Sequence, residues 1–468
     1  MNQLSNDVAE FIVKTQYEDL PAHVIETAKK SLLDAIGVML AASTLGDGCA
    51  PMLKLAVANG GHEESTILGI GAKRPAHMAA FANGALAHAM DFEDTHDKAF
   101  VHSNAAAIPA ALAVAEASGQ ISGKELITAT ALGSELVCRL GLSIKDNLLE
   151  AGWYMPPIFG AFGAAAAAGK VLGLSTEQML DAISLTLCQA TCSAELTQNP
   201  QSVIRSIRDA FAAQSGVLSA QLAKEGVTGF QQPFEGRLGF FHAYAKGNYD
   251  AEAMTANLGA VYEMANVSFK AWPSCRGTHP YIEGALKIMQ EQGVQVEDIE
   301  AIRTVVSPVN KMLCEPLEAK QRPSSPINAK FSIPYAIGVA IHHGTVSLDH
   351  FKSEVLEDSE VLSIAAMVTY EIDHSMSLKD TLRGFTEIHT KDQVFSTVIE
   401  TPYGDPAHPL GLDDLIAKFK ACARHAAIPR SDEQLSHIVD CVLNLDSVKD
   451  IHELTALLQA PLMNLEWE

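Results

Sequence analysis

The chain is short of positive charge and of aromatic rings. Among its 468 residues, 33 Lys and Arg face 56 Asp and Glu, a formal net charge of −23, and Phe, Trp and Tyr make up 6%. No run of Lys or Arg offsets that excess locally, so a phosphate backbone or an anionic membrane surface would be repelled, and neither nucleic acid nor membrane is an expected partner. Charged residues reach only 19% against 48% apolar ones, which excludes wholesale disorder and implies large cores. The first ten residues include acids and lack both a basic start and an apolar run, so they do not read as a targeting segment, and a cytoplasmic location is expected. The most apolar stretch, 156–174, is built from Gly and Ala and crossed by Lys170, and reads as a packed interior helix rather than a membrane span.

Several signatures are missing as well. The eight cysteines form no CxxC pair and are expected as free thiols; Cys188 and Cys192 lie one helical turn apart, with no His or further Cys near them at zinc-site spacing. Gly69 and Gly71 lack the third glycine of a dinucleotide fingerprint, and there is no GxxxxGK[ST] or GxSxG sequence. Nucleotide cofactors, P-loop chemistry and α/β-hydrolase catalysis are disfavoured accordingly. No internal repeat is present.

What the chain does have is helical periodicity. Apolar positions recur at helical spacing over 8–13, 23–40, 76–89, 105–117, 123–142, 160–172, 176–187 and 208–223, and their Ala and Gly content suits helices surrounded by other helices. Between 266 and 404 the texture changes, with β-rich runs at 302–306, 367–372 and 394–400 among helical stretches at 281–290 and 333–342. Helical patterns return at 412–426, 431–443 and 451–458. The fold expected is mostly α: a large all-helical domain from 1–265 and 405–468, with a smaller α+β lid domain, 266–404, inserted into it.

Three polar clusters could carry chemistry. The densest runs from His88 through Asp91, Glu93, Asp94, Thr95 and His96 to His102 and Ser103, between two apolar helices. With His88 and Asp91 at i,i+3 on one helix face, a carboxylate could orient an imidazole or share a metal. Three readings stay open at this point. One is a solvated loop whose acids cap the next helix; another is a divalent-metal site from His88, Asp91, Asp94 and His96, which no fixed spacing supports. The third is acid/base catalysis with Asp91 and His102 as the carboxylate and imidazole, and Thr95 as a donor to substrate. A second cluster places Arg205 and Arg208 three apart at the opening of a helix, either as a carboxylate clamp or as surface charge paired with Asp209. The third, KAWPSCRGTH at 270–279, supplies Lys270, Cys275, Arg276 and His279 in a loop shaped by Pro273 and Gly277, as expected where a cleft closes. A Cys275–His279 nucleophilic pair lacks an orienting partner. His342 and His343 end a helix, where its dipole favours imidazolium and a structural role.

Taken together, ANGALAHAMDFEDT at 82–95 with His102-Ser103, GAFGAAAAAGKVLGL at 160–174, and KAWPSCRGTH at 270–279 resemble the MmgE/PrpD family, and the likeness continues through KFSIPY at 330–335 to the C-terminal helices. That family includes 2-methylcitrate dehydratase, iminodisuccinate epimerase and cis-aconitate decarboxylase. The resemblance implies a helical domain with an α+β lid, a homodimer, an active site between the domains, and chemistry that needs no metal or organic cofactor. It also implies that Asp91, Thr95, His102 and Lys270 stand at positions used by decarboxylase and dehydratase members. Arg205, Arg208 and Cys275 stand where those members carry lysine, histidine and histidine. The expected activity is a lyase, hydratase or dehydratase first, that abstracts a proton next to a carboxylate of a small di- or tricarboxylate. The alternatives are an epimerase, isomerase or decarboxylase of the family, or a catalytically altered carboxylate-binding protein. Asp91, His102 and Lys270 are the expected catalytic residues; Thr95, Arg205, Arg208, Cys275, Arg276 and His279 are expected to bind substrate; no metal ligand is assigned.

Overall fold

The computed structural model describes residues 3–199, 202–377 and 380–459. The protein is 57% helix and 9% strand, mostly α with an α+β portion. It divides into two compact units, one formed by the residues up to Val267 together with those from Gly411 onward, the other by Ser268–Leu410.

In the first unit the helix Met155–Val171 lies at the centre, packed against Asp209–Lys224, Gly123–Ser143 and Ala107–Ser118. Every residue from Pro157 to Gly169 is buried, which a run of Ala and Gly permits because helix axes can come close when no side chain intervenes. Gly216 shows the limit: a Cβ there would sit 2.5 Å from Ala164 Cβ and 2.6 Å from the backbone nitrogen of Ala165. Gly123–Ser143 is long and apolar enough to cross a membrane, yet 89% of its apolar window is buried within the fold. The C-terminal helix Leu412–Ala423 returns to pack on Ala22–Leu45.

That return fixes the turn after the helix Ala76–Ala89. Lys418 pairs with the buried Asp34 at 2.6 Å, donates to the Phe92 carbonyl at 2.6 Å, and lies 3.9 Å from the Phe92 ring centre. The turn opens with Asp91 in the left-handed region at φ +47°, its amide donating to the His88 carbonyl at 2.8 Å. Asp is one of the few non-glycine residues that adopt this conformation readily. The helix therefore stops before Asp91, and the expected i,i+3 helix face shared by His88 and Asp91 is not formed. Further on, the buried Asp94 accepts from Ser103 Oγ at 2.7 Å and Asn104 Nδ2 at 2.9 Å, closing the loop from 94 to 104. Burial pushes the Asp94 carboxyl up to about 6 despite those two donors, with Asp34 and Glu93 adding to the rise.

The second unit holds a four-stranded sheet in the order Val368–Ile372, Ile299–Val306, Gly384–Thr390, Val394–Ile399, with the first pair parallel and the others antiparallel. Its helix His279–Gln292 packs on the last two strands, while Ile333–His343 packs on that helix and on Ser359–Ala366. Gly384–Thr390 is absent from the expected strands because its buried positions are Gly384, Thr386 and Ile388, and a single strongly apolar residue gives no alternation to read.

Two outcomes follow from these contacts. Gly216→Val should lower stability by about 1–3 kcal/mol, since the obstructing atoms include backbone that cannot step aside; urea unfolding of the purified variant measures it. For Asp94, the folded state holds its proton more tightly than the unfolded chain, whose ordinary value is 3.8. Its favourable contribution is therefore complete below about pH 4 and is lost as pH rises towards about 6. Asp94→Asn removes this titration, so the stability of the natural protein relative to the variant should fall by roughly 3 kcal/mol across that window. An unchanged difference across the same pH series would contradict the assignment.

Candidate active site

In the first unit the chain brings together His88, Asp91, Glu93 and His102, with ligand-type atoms all within 4.8 Å of one another. Glu93, 1% exposed, is the hub. Its Oε1 hydrogen-bonds with His88 Nδ1 and lies 2.8 Å from His102 Nδ1, and the two imidazole rings meet edge to face with centroids 4.7 Å apart. The carboxylate against His102 is thus Glu93, where the sequence suggested Asp91; the left-handed turn at Asp91 carries the chain round so that the residue two further on reaches the ring. Burial by itself would raise the Glu93 carboxyl, but the neighbouring imidazoles of His88 and His102 hold it well below the ordinary carboxylate range. Burial, and then the charge of Arg208, push the His88 imidazole below its ordinary value.

Arg208 enters from the junction between the helices Ile204–Ile207 and Asp209–Lys224. Only 2% exposed, it hydrogen-bonds through Nη1 to His88 Nε2 and donates to the Arg205 carbonyl at 2.6 Å. Its guanidinium carbon stands 4.9 Å from the centre of the Tyr154 ring, and Nε lies 3.5 Å from Asp209 Oδ2. Arg205 is half-buried beside it. Thr95 donates to Asp97 at 2.8 Å. Of the four residues considered for a metal, only His88 and Asp91 join the cluster; Asp94 is turned to Ser103 and Asn104, and His96 accepts the Ala99 amide and lies 3.5 Å from Glu263. A divalent ion would find His88 already engaged on both nitrogens, one of them by a fixed cation, so the set fits a preorganised arginine better than a metal.

In the second unit, the loop 270–279 is built from inside. Lys270 and His279 are fully buried. Cys275, half-buried, donates its amide to the Lys330 carbonyl at 2.9 Å, and its own carbonyl accepts from Thr278 Oγ1 at 2.8 Å. Arg276 donates to the Tyr403 carbonyl at 2.8 Å and the Pro402 carbonyl at 3.3 Å, and lies 3.2 Å from His279 Nδ1. Much of its donor capacity thus braces the loop. The Trp272 ring meets His279 edge-on at 5.2 Å.

Two participants were not singled out from the sequence. Glu93 stood within an acidic run in which Asp91 and Asp94 looked equivalent, and only the turn geometry separates them. Tyr154 precedes the Gly- and Ala-rich helix and carries no local pattern at all; its place against Arg208 is purely tertiary.

Residues 6–252 match the MmgE/PrpD N-terminal domain and residues 272–445 match the MmgE/PrpD C-terminal domain. Among curated relatives, the cis-aconitate decarboxylase of Aspergillus terreus is 28% identical over 95% of this chain and 93% of its own. The cis-aconitate decarboxylase of Mus musculus is 28% identical over 94% and 90%, and the cis-aconitate decarboxylase-like protein oryM of Aspergillus oryzae is 26% identical over 97% of both chains. With both family domains matched in order along most of its length, this chain belongs to the MmgE/PrpD family.

Proposed function

We propose that the protein is a lyase acting on a small di- or tricarboxylate, with His102 as its acid/base and Lys270 supplying positive charge to a substrate carboxylate. The observation that carries this reading is the buried, ionised Glu93 lying 2.8 Å from His102 Nδ1. A carboxylate in that place fixes the ring and stabilises the imidazolium that forms when the other nitrogen takes a proton. The remaining ring face belongs to His88, which is engaged on both nitrogens, so His102 is the imidazole available for proton transfer.

The chemical problem is a carbanion next to a carboxylate. In decarboxylation the carbon–carboxylate bond breaks, its electron pair stays on carbon, carbon dioxide leaves, and an acid delivers a proton to that carbon. In dehydration a base first removes the proton from carbon and hydroxide departs with a proton from an acid. Both require an imidazole poised at the reacting carbon and cations to stabilise the enolate-like charge, each worth on the order of 3 kcal/mol in the transition state. Decarboxylation of cis-aconitate is the first reaction to test, because relatives matched over nearly their full length bear that name. Hydration and dehydration come second.

Incubating the protein in deuterium oxide with cis-aconitate, citrate-like and aspartate-like compounds should place deuterium at one substrate carbon, with carbon dioxide release marking the decarboxylase. His102→Ala and Lys270→Ala should each lower turnover by roughly a hundredfold or more while leaving the circular dichroism unchanged. Saturable binding by calorimetry without exchange at any carbon, or near-normal turnover in both variants, would overturn the assignment.

A further inference from the structure

We propose that Arg208 is a positioning residue: a buried, fixed cation that dictates where the proton sits on His88 and, through Glu93, how His102 is held. This rests on the reading of His102 as the acid/base. A guanidinium has donors and no acceptor and does not lose its proton in a protein. Its contact with His88 Nε2 therefore requires that nitrogen to be the acceptor, which puts the proton of a neutral His88 on Nδ1, facing Glu93 Oε1. The same oxygen lies 2.8 Å from His102 Nδ1, so one carboxylate atom serves two imidazoles.

The consequence is electrostatic. A protonated His88 would set an N–H against the guanidinium, donor against donor and charge against charge. It would also face His102 across 4.7 Å between ring centres, where two cations in a site this buried repel strongly. Keeping His88 neutral reserves the Glu93 charge for His102, which can then become the cation during turnover. The groups facing this relay are Arg208, Glu93 and His102 around His88, and Tyr154, Asp209, Glu93 and Asp91 around Arg208. Arg208 is itself immobilised, by the Arg205 carbonyl on Nη1 and by the Tyr154 ring. In place of a clamp that meets substrate with its full fork, the structure has a cation whose Nη1 is committed to an imidazole.

The test separates these roles. Arg208→Met removes the charge and every donor; it should lower kcat by about tenfold or more at pH 7 with KM changed less than about threefold, and the deficit should shrink at higher pH as His88 gives up the proton it is now free to take. Arg208→Lys, which keeps a charge and a donor, should recover most of the loss. A KM raised about tenfold in both variants with kcat preserved would make Arg208 a substrate clamp and overturn the relay. Long-range proton–nitrogen spectra of histidine-labelled protein give a reading independent of turnover, with the His88 signals identified by their loss in His88→Gln. The relay requires an unprotonated Nε2 and a protonated Nδ1 on His88 in the natural protein; the opposite tautomer overturns it even if Arg208→Met fails to fold. Absence of any substrate exchange in the natural protein would count against the lyase reading alone, because the tautomer is observed without substrate.

Discussion

One carboxylate oxygen, Glu93 Oε1, is shared by two imidazoles in a place where hardly any water reaches it. A buried charge is tolerable only when its neighbours compensate it, and here compensation and orientation are the same act: the groups that keep Glu93 ionised are the groups it aligns. Arg208 closes the arrangement at the far end of His88, bringing a second buried charge that is offset by Asp209 and the face of Tyr154. Removing one member would leave a partner's buried charge uncompensated, so these groups are coupled energetically.

The scaffold is what allows such precision in a loop. The turn carrying Asp91 and Glu93 is anchored from outside by Lys418, from the C-terminal return, and from within by Asp94, which ties it to Ser103 and Asn104 and hence to His102. Elsewhere in the same unit, the small-residue faces of Met155–Val171 and its neighbours let helix backbones approach closely.

Much of the helical framework could be read from periodicity. The helices Ala76–Ala89 and Thr176–Leu187 fall where their apolar spacing put them, because long patterned segments surrounded by other helices leave few competing conformations. The strand Gly384–Thr390 could not be read, since its inward positions are filled by residues with no strong apolar signal. The motifs at 82–95 and 270–279 carried a resemblance to the MmgE/PrpD family, and the matching of both family domains bears that resemblance out.

The division of labour inside those motifs was another matter. Sequence alone determined the class of protein, an acidic, helix-dominated chain with the motifs of the MmgE/PrpD family, because composition, periodicity and motif content are local properties that survive without coordinates. Which acid serves which imidazole, that Arg208 faces His88 across 120 positions, and that Arg276 spends donors on the carbonyls of Pro402 and Tyr403 were decided only by tertiary structure. The reason is physical: a single left-handed residue at Asp91 redirects every side chain after it, and long-range pairing depends on the sum of such turns rather than on spacing along the chain.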